Sequence, residues 1–542
     1  MSRPAQPRRP GRSSRASDGG TLGDLGRLAA LADSLAASWA ARARLTTSAG
    51  QERAVLRLFG VHGLDGTGRP LAGAVVDRWR AGDPTARVGG VALPFAMALL
   101  EYDLGPQQLA LDVASGAVDL ALEAELLRQP DRRAVAEAEV ARLATAATDR
   151  IDANRIVRRE ILSLLGDSTP PWVGTLLAEP DVEAALDEVM ALVAAGMDLL
   201  RVEIPAGREL TDRMHDAGFE VAEWHPRAHT SAAGIADEPA PTGSQRGLAM
   251  LRRALDEAAA ERRAYARLAT SAPPLSAPEA AVVAAFERVD VTEINPLDEI
   301  VAHGVDPDRA LSDHAFAHRL VRRAGTLLSI GAGPLVVAPD LASGIPSDAA
   351  TRSGRTVALQ ALAVAFARHD GIADESIVVG ALPPWIAEES APATRAFAEI
   401  VVRRELFAGH SLAFEEPDAR RERRAMWSTV VAAALAFACP TAFVMQRPGP
   451  DAAGTSRRAR AGASVAAELV AAAGPVALRG AGLEHARSIV AAAIATLEQV
   501  GEQGWRAVTG TSPMADQPFR LGRGTVIERG EPFDPFGPTL GS

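Results

Sequence analysis

Apolar residues recur at three- and four-residue spacing through the first third of the chain, as in Leu25–Leu35, Val55–Phe59 and Val135–Ala147. That period puts one apolar stripe on a helix. A helical N-terminal accessory unit over residues 21–160, without a strand, is therefore expected. From Trp172 the pattern changes to short apolar runs separated by helical stretches. The runs are Val173–Leu177, Leu199–Ile204, Tyr265–Thr270, Val289–Thr292, Leu335–Ala338, Ile377–Val379, Leu412–Phe414 and Thr441–Met445, with a weak extra one at Val221–Trp224. Asp181 is placed to cap the helix that follows the first run, with Val182, Ala185, Leu186, Val189 and Val193 on one face and Gly196 as its stop. Strands buried on both faces read as continuous apolar runs because helices cover the sheet. Eight such units predict an α/β fold, a (β/α)8 TIM barrel over residues 161–450. A doubly wound open sheet is the alternative. Residues 451–542 read as a helical C-terminal accessory segment with an extended tail, expected to pack with the N-terminal unit outside the barrel.

Composition narrows the chemistry. The 542 residues include no lysine, so all 57 basic side chains are arginine. No side-chain Schiff base can form on this chain. The net charge of −11 argues against nucleic acid as a partner. Five arginines lie among prolines and serines within Arg3–Arg15, which reads as part of a disordered basic tail over residues 1–20 rather than a secretory signal. Cys439 is the only cysteine, which excludes internal disulfides and cysteine metal clusters. Met426–Met445 is apolar, but Pro440 divides it, so it reads as a buried helix and a buried strand. A cytoplasmic protein without a membrane span is expected.

Barrel sites lie at the C-terminal ends of the strands. Those ends carry Glu179, Glu203, Thr270, Ser271, Glu293, Asn295, Asp340, Glu415, Glu416, Gln446 and Arg447. Such carboxylates suit a substrate bearing ammonium groups, and Glu293, Asp340 and Glu415 are the candidate catalytic residues. Taken singly, each acid is better explained as a cap for the next helix; as a collection the two readings are balanced. The turn Pro241–Arg246 precedes a helix, so Ser244 and Gln245 are candidate phosphate contacts or an ordinary cap. His225 and His229 read as loop histidines, and His314 and His318 as a solvated helix face. No metal site is expected.

The segment Glu52–Asp77, ERAVLRLFGVHGLDGTGRPLAGAVVD, resembles the start of the large (alpha) subunit of lysine 5,6-aminomutase, and Phe533–Asp534–Pro535–Phe536 resembles that family's C-terminal end. The resemblance implies a barrel subunit of an adenosylcobalamin- and pyridoxal 5'-phosphate-dependent enzyme. That enzyme moves an amino group by a radical 1,2-shift on D-lysine or β-lysine. It implies a smaller, cobalamin-binding partner subunit that brings the lysine this chain lacks. It points to Ser271 or Ser276 and to His303 as cofactor contacts. Where the family places a serine, a tyrosine, an arginine and an earlier serine, this chain has Pro273, Asp298, His303 and Glu209. The family's substrate-binding aspartate falls at Leu341, beside Asp340. A catalytically degenerate subunit acting as a scaffold or cobalamin-docking module is the alternative.

Overall fold

The computed structural model describes residues 22–43, 46–81, 90–168, 170–179, 181–204, 244–331, 348–380, 392–415, 442–446, 454, 457, 460–461, 478–509 and 526–528. The elements begin with α1 (Leu25–Ala43), β1 (Thr46–Ser48), α2 (Ala49–Leu58), α3 (Leu71–Ala81), α4 (Ala92–Tyr102), α5 (Pro106–Ser115), α6 (Leu120–Leu126) and the long α7 (Pro130–Leu165). Next come β2 (Trp172–Leu176), α8 (Val182–Ala194), β3 (Leu199–Glu203), α9 (Gln245–Arg262), β4 (Arg267–Ser271), α10 (Ala277–Phe286), β5 (Val291–Glu293), α11 (Pro296–His303) and α12 (Pro307–Ala324). The barrel finishes with β6 (Leu327–Ile330), α13 (Ala349–His369), β7 (Ile377–Gly380), α14 (Pro392–Leu406), β8 (Ser411–Glu415) and β9 (Ala442–Gln446). Helices α15 (Ala481–Gln503) and α16 (Arg506–Thr509) and strand β10 (Val526–Glu528) follow.

Strands β2 to β9 pair in sequence order, all parallel, and β9 closes on β2. The eight-stranded TIM barrel is thus present, and the open-sheet alternative is excluded. The sequence rules explain the first unit. Asp181 accepts a hydrogen bond from the Glu183 amide at 2.9 Å, and Val182, Ala185, Val189, Leu192 and Val193 are buried. Outward-facing Leu200, Val202 and Leu268 share a core with that helix and with Leu248, Leu251 and Leu255 of α9.

Two predictions need correction. The strand between α12 and β7 is Leu327–Ile330, not Leu335–Ala338, which lies outside the described residues together with Asp340. Leu327–Ile330 pairs with both β5 and β7. Its inward Ser329 interrupts the apolar signal, so the richer apolar run downstream was the more conspicuous one. The N-terminal unit also contains a strand. β1 pairs antiparallel with β10, Thr46 opposite Glu528, and three residues are too few to show a period of two. The ribbon joins residues 46–48 to residues 526–528, and α1 packs against both α13 and α15.

The base of the barrel is closed by side chains. Trp172 and Phe443 meet edge to face at 4.8 Å between ring centroids, and the Arg267 guanidinium lies 3.5 Å from the Trp172 ring centroid. Gly174 is required here, because a Cβ would approach Met445 Sδ to 2.4 Å and the Leu199 carbonyl to 3.1 Å. Buried acids just before strands hold this end. Asp290 accepts from Tyr265 Oη at 2.8 Å and from the Leu268 amide at 2.9 Å, and pairs with Arg252 and Arg158 at 3.1 Å each. Asp198 accepts from the Val173 amide at 2.9 Å and pairs with Arg262 at 3.0 Å. Acids at the strand starts are therefore structural, which leaves the strand ends for chemistry.

Candidate active site at the barrel mouth

Glu203, Ser271, Glu293 and Ser329 stand in one register row across β3, β4, β5 and β6. Residues two apart on a strand share a face, so Arg201 lies one step deeper on the same face as Glu203. It reaches past β4 on the inner face of the barrel to pair with Glu293, Nη1 to Oε2 at 3.3 Å. The two side chains are 18 % and 23 % exposed, so the pair is sheltered but reachable from solvent. Arg201, Glu293 and Ser329 border a mouth that opens to solvent and whose floor is apolar, with Leu199, Val291, Val378, Phe443 and Met445. Gly331, Gly380, Ala269 and Ala413 keep the wall thin. The arrangement offers one fixed cation and two carboxylates above an apolar base.

The structure brings Glu293 and Ser271 into this mouth. Glu415 ends β8, opposite Met445 in register. Glu179 accepts from the Asp181 amide at 3.1 Å, and Asn295 accepts from the Leu297 amide at 3.0 Å, so both serve the starts of their helices. Ser276 donates to the Pro273 carbonyl at 2.5 Å. His303 is the last residue of α11.

Ser244 and Gln245 are separated from the mouth. Ser244 accepts from the Gly247 amide at 3.0 Å as the cap of α9. Gln245 donates to Glu287 Oε1 at 2.8 Å. Glu287 is the C-cap of α10, shortly before β5 begins, so the first turn of α9 lies at the base of the barrel. His314 and His318 are not solvated: both are 1 % exposed. His314 Nδ1 donates to the Ala310 carbonyl at 2.8 Å, and His318 Nδ1 lies 2.7 Å from Asp370. Burial pushes the His314 imidazole down to about 3 and the Glu299 carboxyl, 3.7 Å away, up to about 8, the latter with a contribution from the nearby Asp313 charge. The other histidine pair, His225 and His229, and Cys439 lie outside the described residues. Arg201 and Ser329 were missed in the sequence, although the alternation Leu199–Arg201–Glu203 is visible in it.

Pyridoxal phosphate does not fit the described residues. A phosphate needs converging N–H and cationic donors, whereas the mouth sets one arginine, already engaged by Glu293, among two carboxylates. The Ser244 turn is at the other end. Among the described residues no cluster of histidine, cysteine and acid side chains is arranged to hold a metal, and no helix is long and apolar enough to cross a membrane.

The motif Glu52–Arg57 is explained by packing. Glu52 accepts from the Val91 amide at 2.6 Å and Thr47 Oγ1 at 2.7 Å. Arg53 and Arg57 both donate to Glu279 on α10, at 2.7 and 2.9 Å. The helix carrying the motif is thereby clamped to the barrel wall.

Residues 24–435 match the family described as the D-lysine 5,6-aminomutase TIM-barrel domain of the alpha subunit. The chain is 27 % identical over 281 residues to the lysine 5,6-aminomutase alpha subunit of Acetoanaerobium sticklandii, covering 52 % of this chain and 50 % of that one. It is 25 % identical over 330 residues to the subunit of the same name from Fusobacterium nucleatum subsp. nucleatum, covering 61 % and 58 %. The matched stretches thus span between half and three-fifths of these relatives' lengths. With a closed eight-stranded parallel barrel and a family match over most of its length, the chain belongs to the family of the lysine 5,6-aminomutase alpha-subunit barrel.

Proposed function

We propose that this chain is the barrel subunit of a two-chain aminomutase acting on a small diamino acid such as D-lysine or β-lysine. The observation that carries the reading is the mixed-charge mouth of Arg201, Glu203 and Glu293 on a barrel of this family. Desolvated ammonium groups require anionic partners, and a carboxylate requires a cation. Adenosylcobalamin and pyridoxal phosphate come with the partner subunit, which supplies the lysine. The chain's own residues bind and orient the amino acid, and the apolar floor keeps water from it. The test is co-purification with a partner bearing a cobalamin-binding sequence and a free lysine, followed by absorbance scans and turnover assays with diamino acids. Retention of both cofactors and substrate-dependent cobalt–carbon cleavage support the enzyme.

The absence of a phosphate cradle among the described residues favours a second reading, a degenerate barrel that docks the cobalamin subunit. A stable complex that retains cobalamin but not pyridoxal phosphate, and that turns over no diamino acid, establishes it.

A further inference from the structure

We infer that Arg201 and Glu293 form a displaceable ion pair that recognises the zwitterionic head of a free amino acid, rather than a fixed strut of the barrel. The inference deepens the substrate side of the proposed function and rests on that reading. Four observations carry it. The pair is in the mouth and borders its open space, whereas the structural ion pairs of Asp198 and Asp290 close the opposite end. The pair is partly exposed, while the Asp198 and Asp290 side chains are 0 % and 6 % exposed. Its contact at 3.3 Å is looser than the 2.7–2.9 Å usual for a charge-assisted hydrogen bond. Glu203 stands in the same register row as Glu293, which gives the row a second carboxylate without a second described arginine.

A sheltered ion pair recovers little net energy, because desolvation consumes most of the attraction. An entering zwitterion exchanges that pair for two. Its carboxylate takes the Arg201 fork, and its ammonium takes Glu293 with Glu203 beside it. The charge of the site is unchanged by the exchange. A ligand with only an ammonium leaves Arg201 to its original partner. A ligand with only a carboxylate or a phosphate meets two glutamates. The geometry thus selects ligands that carry both charges on neighbouring atoms, and the remainder of the ligand lies over the apolar floor.

The test is calorimetric titration of the full chain, alone and with its partner, with lysine, with the decarboxylated diamine, with hexanoate and with inorganic phosphate. Lysine is expected to bind at least about tenfold more tightly than any of the others, the factor that one charge-assisted hydrogen bond provides. Arg201→Met is expected to abolish the preference of lysine over the diamine, and Glu293→Gln that over hexanoate. Arg201→Lys is expected to restore the first preference in part, since it keeps the charge and loses the fork. Far-ultraviolet dichroism and melting temperature identify folded variants. Wild-type binding that is indifferent to both substitutions in folded protein overturns this inference alone. Failure of the wild type to bind any amino acid, with or without its partner, overturns the proposed function as well. Phosphate binding that competes with lysine also overturns the zwitterion reading.

Discussion

Glu279→Gln tests whether the motif helix α2 is held to the barrel by charge. In the native protein Glu279 receives Arg53 and Arg57 at 2.7 and 2.9 Å, and the three side chains are only 12 to 18 % exposed. The substitution keeps the shape and deletes the charge, leaving two sheltered guanidinium groups facing a neutral amide. Breaking a fully buried pair costs about 3–5 kcal/mol. The slight exposure, and the Leu275 carbonyl that also accepts from Arg53 at 3.3 Å, lower the expected loss to about 2–3 kcal/mol. Burial alone raises the Glu279 carboxyl, but the two arginines outweigh it and hold the group below its ordinary 4.5. The unfolded state therefore binds more protons in that window, and the contribution of Glu279 is present above pH 4.5 and lost as pH falls through the lower folded value. Urea unfolding at several pH values measures this, because urea does not screen charge. The gap between wild type and variant is expected to be full at neutral pH and to close in acid. A gap below about 0.5 kcal/mol at neutral pH, the size of an ordinary surface effect, refutes the clamp, and so does a gap that persists unchanged in acid.

Gly354→Ala on α13 gains about 1 kcal/mol of helix propensity but sets a Cβ 2.5 Å from Ala492 Cβ and 2.9 Å from the Ile489 carbonyl of α15. Overpacking against backbone prevails, and a net loss of about 1–2 kcal/mol in denaturant unfolding is expected. Asp290→Asn leaves Arg252 and Arg158 facing a neutral group at the barrel base and is expected to cost about 3 kcal/mol or more by the same measurement. Glu299 has its folded value raised from 4.5 to about 8, so its contribution to stability is full below pH 4.5 and is lost as pH rises towards 8. Glu299→Gln is accordingly expected to flatten that decline and to equal or exceed wild type in stability above pH 8, as followed by melting temperature across pH.

Most of the architecture was legible along the chain because it is local. The cap at Asp181, the helix stop after α8 and seven of the eight barrel runs are encoded by neighbours a few residues apart. The eighth strand was not, because what makes Leu327–Ile330 a strand is pairing with β5 and β7, while its inward serine weakens the apolar signal. The site was legible only in part. A strand-end position announces that Glu293 and Ser271 reach the mouth, but nothing local says that Arg201, on another strand, meets Glu293. That contact depends on the stagger between strands that closes the barrel. Ser244 and Gln245 show the converse. Their turn satisfies the local rule for an anion site, yet the path of the chain sets α9 against the base of the barrel, beside Glu287. The sequence alone determined fold class, the absence of lysine and the supply of mouth carboxylates, because periodicity and composition depend on no distant contact. Which charges face each other, and at which end of the barrel, was decided by tertiary structure, because register and stagger bring together residues far apart in the chain.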